Sequence, residues 1–222
     1  MVDAQQLAME NFSLGTPALV CRWRLAAGTL LLANRHMRAL ARRFVNGHRI
    51  SPELVAWAKQ HIEWTLAEGS FEHPDGVLML IVDHNGAAAM TVGPYEPLEQ
   101  RHTRALIARA QGAAQERDET DVAPEVLFAL SDGDLLVGMA PDAAPGGCAS
   151  LVLQLASTLG IPAVFSPNLL DDLLDDQVDA EGVFLASDEH GIVCASDCSD
   201  QLCRQFETSY ERLFHLAHKP RG

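Results

Sequence analysis

Three features of this sequence predict a mixed α/β fold in two domains, with sheets packed against helices. The first is VLFALSDGDLLVG, Val126 to Gly138, in which apolar segments flank Asp132-Gly133, a strong two-residue hairpin signal. The second is PGGCASLVLQLASTLGIPAVF. A Pro-Gly-Gly turn opens an apolar helix with a stripe of Leu151, Leu155, Ala156 and Leu159. Gly160 stands where a C-cap would, Pro162 stops the helix, and a short strand follows. The third is the segment from Pro94 to Pro97, a linker that divides the chain into residues 1–97 and 98–222.

The remaining elements follow in chain order. Residues 18–32, ALVCRWRLAAGTLLL, read as two strands about an Ala-Gly turn. Asn34 is placed to N-cap a helix running to about Asn46, with Gly47 as its stop. Ser51-Pro52-Glu53 opens a second helix, with Ser as cap and Pro at the first helical position. Its stripe is Leu54, Trp57, Ala58, His61, Ile62, Thr65 and Leu66, and Gly69 ends it. Val77 to Val82 and Ala87 to Val92 form a hairpin across Asn85-Gly86. Beyond the linker, Glu99 to Arg117 reads as a helix and Asp118 to Pro124 as an acidic connection. The run DLLDDQVDAEGVFLASDEHGIVCAS gives a short acidic helix, a strand at Val183 to Ala186, and a turn into Ile192 to Ala195. Leu202, Phe206, Tyr210, Leu213 and Phe214 then recur at helical spacing within Asp200 to His218.

Composition narrows the functional classes. The chain has 222 residues, is 48% hydrophobic and carries a formal net charge of -14, enough length for a sizeable core. No apolar run reaches the roughly 18 residues of a membrane span, and MVDAQQLAMEN lacks the basic and apolar regions of a signal peptide. Five irregularly spaced cysteines fit a reduced, cytoplasmic setting. Cys194, Cys198 and Cys203 lack the paired spacing of a metal site, so no metal is assigned. Charge is segregated: seven arginines and no acid lie between Asn11 and Pro52, and no Lys or Arg lies between Asp118 and Cys203. That split points to attraction between the two halves or between subunits, and the overall acidity argues against nucleic acid.

The order of elements and several short motifs resemble the class IV, fold-type IV, pyridoxal-phosphate aminotransferases. That family includes branched-chain and D-amino-acid aminotransferases and aminodeoxychorismate lyase. GDLLVG, PGGCAS, LASTLGIP and DAEGVFLAS take the places of the family's C-terminal motifs, and ALVCRWRLAAGTLLLANRHMRAL that of an N-terminal one. The resemblance implies a D-amino-acid-aminotransferase-like fold, pyridoxal phosphate as cofactor, an interdomain site and a homodimer. Carried over residue by residue, Arg38 is the arginine that contacts the cofactor phosphate, while Arg35 replaces a family histidine. Gly147, Cys148 and Ala149 would offer backbone N–H groups to the phosphate at a helix start. Ser187 falls near a second phosphate contact, and Asp121 at the offset of the glutamate that stabilises the protonated pyridine nitrogen. A plain tight turn at Gly146-Gly147 and a solvated acidic loop at Asp121 are the alternative readings.

One requirement is missing. Pyridoxal phosphate needs a lysine amine for its Schiff base. The chain has Lys59 and Lys219 and no other lysine, and the family's lysine segment reads YEPLEQRHTR. Arginine cannot substitute, because its guanidinium stays protonated. The expectation is therefore a divergent member of this fold that does not carry out standard transamination. It would bind pyridoxal phosphate or another phosphorylated or carboxylated small molecule between its domains. A non-enzymatic dimeric interaction protein is the alternative, and an active pyridoxal-phosphate enzyme using Lys59 a further one.

Overall fold

Alternation along β1 (Pro17–Ala26) gives one strand two different faces. Leu19, Cys21, Trp23 and Leu25 are buried, whereas Val20, Arg22 and Arg24 lie on the opposite face. The computed structural model describes residues 13–219. After β1 come β2 (Thr29–Leu30), α1 (Ala33–Leu40), β3 (Phe44–Val45), β4 (His48–Arg49), α2 (Pro52–Gly69), β5 (Val77–Asp83) and β6 (Ala88–Gly93). An antiparallel sheet of order β2-β1-β5-β6 results, with Leu19 opposite Val82 and Arg24 opposite Val77. Ala58 and Ile62 of α2 join the buried face of β1 in one apolar core.

The second half contains α3 (Thr103–Thr120), β7 (Val122–Ala123), β8 (Glu125–Ser131), β9 (Asp134–Val137), β10 (Ala144–Pro145), α4 (Gly147–Leu159) and β11 (Ala163–Phe165). It closes with α5 (Leu169–Leu174), β12 (Gly182–Ser187), β13 (Gly191–Cys194) and α6 (Gln201–Ala217). Its five-stranded sheet has the order β11-β9-β8-β12-β13, mixed because β11 runs parallel to β9. α4 and α6 share one core with this sheet, and α3 and α5 share another. Phe184 stacks between Phe128 and Phe206, with both centroid separations 5.2 Å. No helix among the described residues is long and apolar enough to cross a membrane.

Most elements match the sequence pattern, and the differences have local causes. Ser51 caps α2 as expected, its hydroxyl accepting the Leu54 N–H at 3.2 Å. α1 stops at Leu40 rather than Asn46, because Asn46 and Gly47, both at positive φ, turn a small β3–β4 hairpin. Asn34 lies inside α1, which opens instead from Leu32 in the left-handed region. α3 starts at Thr103 rather than Glu99. There the His102 ring accepts the Ala105 N–H, and the Asp197 carboxylate accepts the Thr103 N–H at 2.9 Å. On α4 the buried stripe is Cys148, Ala149, Val152 and Ala156, and Leu159 is exposed.

The segregated charges meet within the chain. Arg43, 2% exposed, donates to Glu116 Oε1 at 2.6 Å and to Thr120 Oγ1 at 3.1 Å, both on α3. Arg35 donates to the carbonyl and hydroxyl oxygens of Ser150 at 3.0 Å each and to Gln154, tying α1 to α4. These contacts set the first sheet's open face against α3 and leave space between them.

Replacing Phe184 by Ala should cost about 3–5 kcal/mol of stability, the usual range for emptying a fully packed aromatic site. Phe71→Ala, at a side chain 87% exposed, should change it by less than about 0.5 kcal/mol. Urea denaturation of the two variants beside the parent tests this contrast.

Candidate functional site

The turn between β12 and β13, Asp188-Glu189-His190, sends three titratable side chains to three different places. Gly191 enforces its shape: φ is +77°, and a Cβ there would collide with the Tyr210 ring. Ser187 Oγ accepts the N–H groups of Glu189 and His190, at 3.2 and 3.0 Å.

Asp188 turns to the start of α4. Its side chain is 4% exposed, and Oδ1 accepts the Cys148 N–H at 2.8 Å. Oδ2 lies 3.5 Å from Nδ1 of His36, a ring 2% exposed whose Nδ1 makes no hydrogen bond among the described residues. Trp23 stacks on that ring, with the centroids 5.3 Å apart. Burial alone would raise the Asp188 carboxyl, but the His36 ring, the Cys148 N–H and Arg43 outweigh it. They hold the group below the usual carboxylate range.

Glu189 turns toward the space between the halves, a cleft of about 320 Å³. One wall is Val20 and Arg22 of β1, and the other is Ala108, Arg109, Gly112, Ala113 and Glu116 of α3, spaced to share a helical face. Glu125 and Ser187 form its floor, as direct cross-strand neighbours on β8 and β12. Ser187 donates to Glu125 Oε1 at 2.7 Å, and Arg109 Nε donates to the same oxygen at 2.9 Å. Arg109 also reaches Glu189 at 3.8 Å. Burial pushes the Glu125 carboxyl up despite Arg109 and Ser187, which favour its charged form. Gly112 opens the cleft: a Cβ there would meet nothing within 4 Å.

His190 turns beneath Tyr95. Its side chain is 3% exposed, with Nδ1 3.4 Å from the Tyr95 hydroxyl and Nε2 4.0 Å from Glu189. Its pKa is lowered from 6.5 to about 4. Burial disfavours the charged ring, and Arg109 and Arg24 repel it further. The ring is neutral near pH 7. A raised carboxyl in the cleft and a lowered imidazole behind the same turn make this region a candidate for proton handling.

The residues singled out from sequence are only partly gathered here. Gly147, Cys148 and Ala149 do form the buried start of α4, and Ser187 is buried at the end of β12. The Cys148 N–H, however, is already bonded to Asp188. Arg38 is exposed on α1, because it lies two residues, about 200° of helix, beyond the His36 that faces α4. Asp121 is also exposed; at φ +65° it ends α3 as a left-handed C-cap, and the carboxylate beside Ser187 is Glu125. Sequence reasoning missed His36, Asp188, Glu125 and His190. The run of Asp, Glu and His between two apolar strands was the available signal.

No family model matches the chain, and no curated protein is similar to it at the level of sequence. Solved structures are similar. A branched-chain aminotransferase from Thermoproteus uzoniensis, solved with norvaline, gives a TM-score of 0.61 at 12% identity, covering 95% of this chain and 92% of its own. A Legionella pneumophila protein described as a 4-amino-4-deoxychorismate lyase gives 0.58 at 12% identity, over 91% and 96%. A hypothetical aminotransferase from Mycobacterium tuberculosis in its PLP-bound form gives 0.58 at 13% identity, over 98% and 93%. Likeness at such identities concerns the fold. The chain has the mixed α/β fold of the class IV, fold-type IV, aminotransferases.

Between pH 6.5 and about 4 the unfolded chain takes up a proton at His190 that the folded chain, with Tyr95, Glu189, Arg24 and Arg109 around the ring, does not. His190 therefore lowers stability as pH falls through that window, and adds no further dependence below it. Urea midpoints measured across the window should fall with pH, and His190→Asn should flatten the slope. An unchanged slope would assign it to other groups.

Proposed function

We propose that the chain is a divergent class IV aminotransferase-fold protein that binds a small carboxylated molecule in the cleft between β1 and α3, without pyridoxal-phosphate transamination. The observation that carries the reading is the place of its lysines. Lys59 lies on the exposed side of α2 and Lys219 is exposed beyond the end of α6, and neither lines the cleft. The residues present therefore do not fit pyridoxal phosphate, whose aldehyde must condense with an amine. The structural neighbours include an aminotransferase in PLP-bound form, but no lysine among the described residues lines this cleft.

The cleft offers cationic recognition instead. Arg22 has no ion-pair partner among the described residues, and its planar guanidinium suits a carboxylate that can take two hydrogen bonds. Arg109 is already held by Glu125 and Glu189, which places Arg22 as the primary contact and Arg109 as the second. About 320 Å³ suits a small ligand. Gly112 keeps that space open at a cost, since an interior helical glycine is about 1 kcal/mol less favourable than alanine. Glu125 and Ser187 would lie within reach of the ligand as proton-handling groups.

Two measurements test this. Incubation with pyridoxal phosphate, then borohydride and intact mass, should show no added cofactor; an adduct on Lys59 or Lys219 would overturn the reading. A thermal-shift screen of small mono- and dicarboxylates should find a stabilising ligand. Arg22→Ala should weaken it about tenfold or more, the loss of roughly 1.4 kcal/mol expected for a charged hydrogen-bonded contact. Gly112→Leu should abolish binding while leaving the protein folded. Unchanged affinity in both variants would move the site elsewhere.

A further inference from the structure

We infer that Asp188 supplies, from within the chain, the anion that the N-terminus of α4 is built to hold, so that no phosphate group enters there. This goes beyond the carboxylate reading and does not depend on Arg22.

A helix start presents unpaired N–H groups and the positive end of the helix dipole, and so favours an anion. Here the anion is already in place: Asp188 Oδ1 accepts the Cys148 N–H at 2.8 Å. The two glycines at this start fit that internal group closely. A Cβ on Gly146 would stand 3.0 Å from both carboxylate oxygens and 2.8 Å from the Ala123 carbonyl oxygen. A Cβ on Gly147 would strike the His36 ring. The bare backbone at these positions is therefore accounted for by Asp188 and His36, without an external ligand.

The second observation is His36 itself. Its buried Nδ1 has no hydrogen bond among the described residues and faces Asp188 Oδ2 at 3.5 Å, so the ring meets the second carboxylate oxygen beside Gly147. Asp188 cannot easily leave. Its own N–H donates to the Pro124 carbonyl oxygen at 3.1 Å, and its carbonyl oxygen accepts the Arg24 N–H at 3.1 Å. These two bonds fix the backbone from which the side chain reaches α4, and swinging the carboxylate out would leave the Cys148 N–H without its acceptor. A phosphate entering with Asp188 in place would meet a fixed negative charge in a poorly screened interior.

Inorganic phosphate is the probe. Titrated by calorimetry into the full chain, it should show no binding at α4, whereas Asp188→Ala should bind it about tenfold or more tightly. The variant should also melt higher in phosphate than in chloride of equal ionic strength, by more than the parent does, which removes the general effect of excluded salts. Phosphate that binds the parent and shifts its Gly147 and Cys148 amide signals would overturn the inference, as would a folded Asp188→Ala that ignores phosphate. Should that variant not fold, Asp188→Asn decides, since its amide fills the same space without charge. A lowered melting temperature to which His36→Gln adds less than its own separate loss would support the inference, because the two losses then share one interaction. Additive losses, or no loss at all, would overturn it.

Discussion

Asp188 carries a charge into a position 4% exposed, and much of the surrounding geometry meets that charge. Desolvating a carboxylate costs several kcal/mol unless its oxygens are well met. The α4 start meets one oxygen and His36 faces the other, with Trp23 fixing the ring. Because the backbone of Asp188 also bonds Pro124 and Arg24, the same residue fixes where the β12–β13 turn sits against β1. Ser187 on one side and Glu189 and His190 on the other are placed as a consequence. The cleft owes its chemistry to a residue whose carboxylate is bonded at the α4 start.

β1 connects that anchor to the rest of the molecule. Its odd-numbered residues from Leu19 to Leu25 fill the first core, and its even-numbered ones leave Arg22 and Arg24 facing the second half. Arg24 lies over the Tyr95 ring, 3.4 Å from its centroid, which closes the site around His190. Across the cleft, small side chains on α3 keep the walls apart, while Arg43 and Glu116 draw the same helix inward at its far end. One contact closes the halves together and the other leaves room between them.

The elements were legible where local physics decides them. The Asn85-Gly86 and Asp132-Gly133 turns, the Ser51-Pro52 cap and the Gly160 stop all act within a few residues, and all stand where the pattern put them. The errors came where a distant residue supplied the decisive contact. α3 begins at Thr103 because Asp197, far along the chain, accepts its N–H. Short motifs likewise located the α4 start and Ser187, but could not show that a carboxylate from the neighbouring turn was already bonded at that helix start.

By itself, the sequence determined the order of the longer strands and helices, the segregation of charge and the scarcity of lysine. Each of these is a property of composition or of neighbours a few residues apart. The tertiary structure alone decided that His36 rather than Arg38 faces α4, that Glu125 rather than Asp121 sits beside Ser187, and that Asp188 fills the helix start. Those outcomes depend on helix rotation, strand register and the cost of burying a charge. Such quantities are set only when segments distant in the chain pack together.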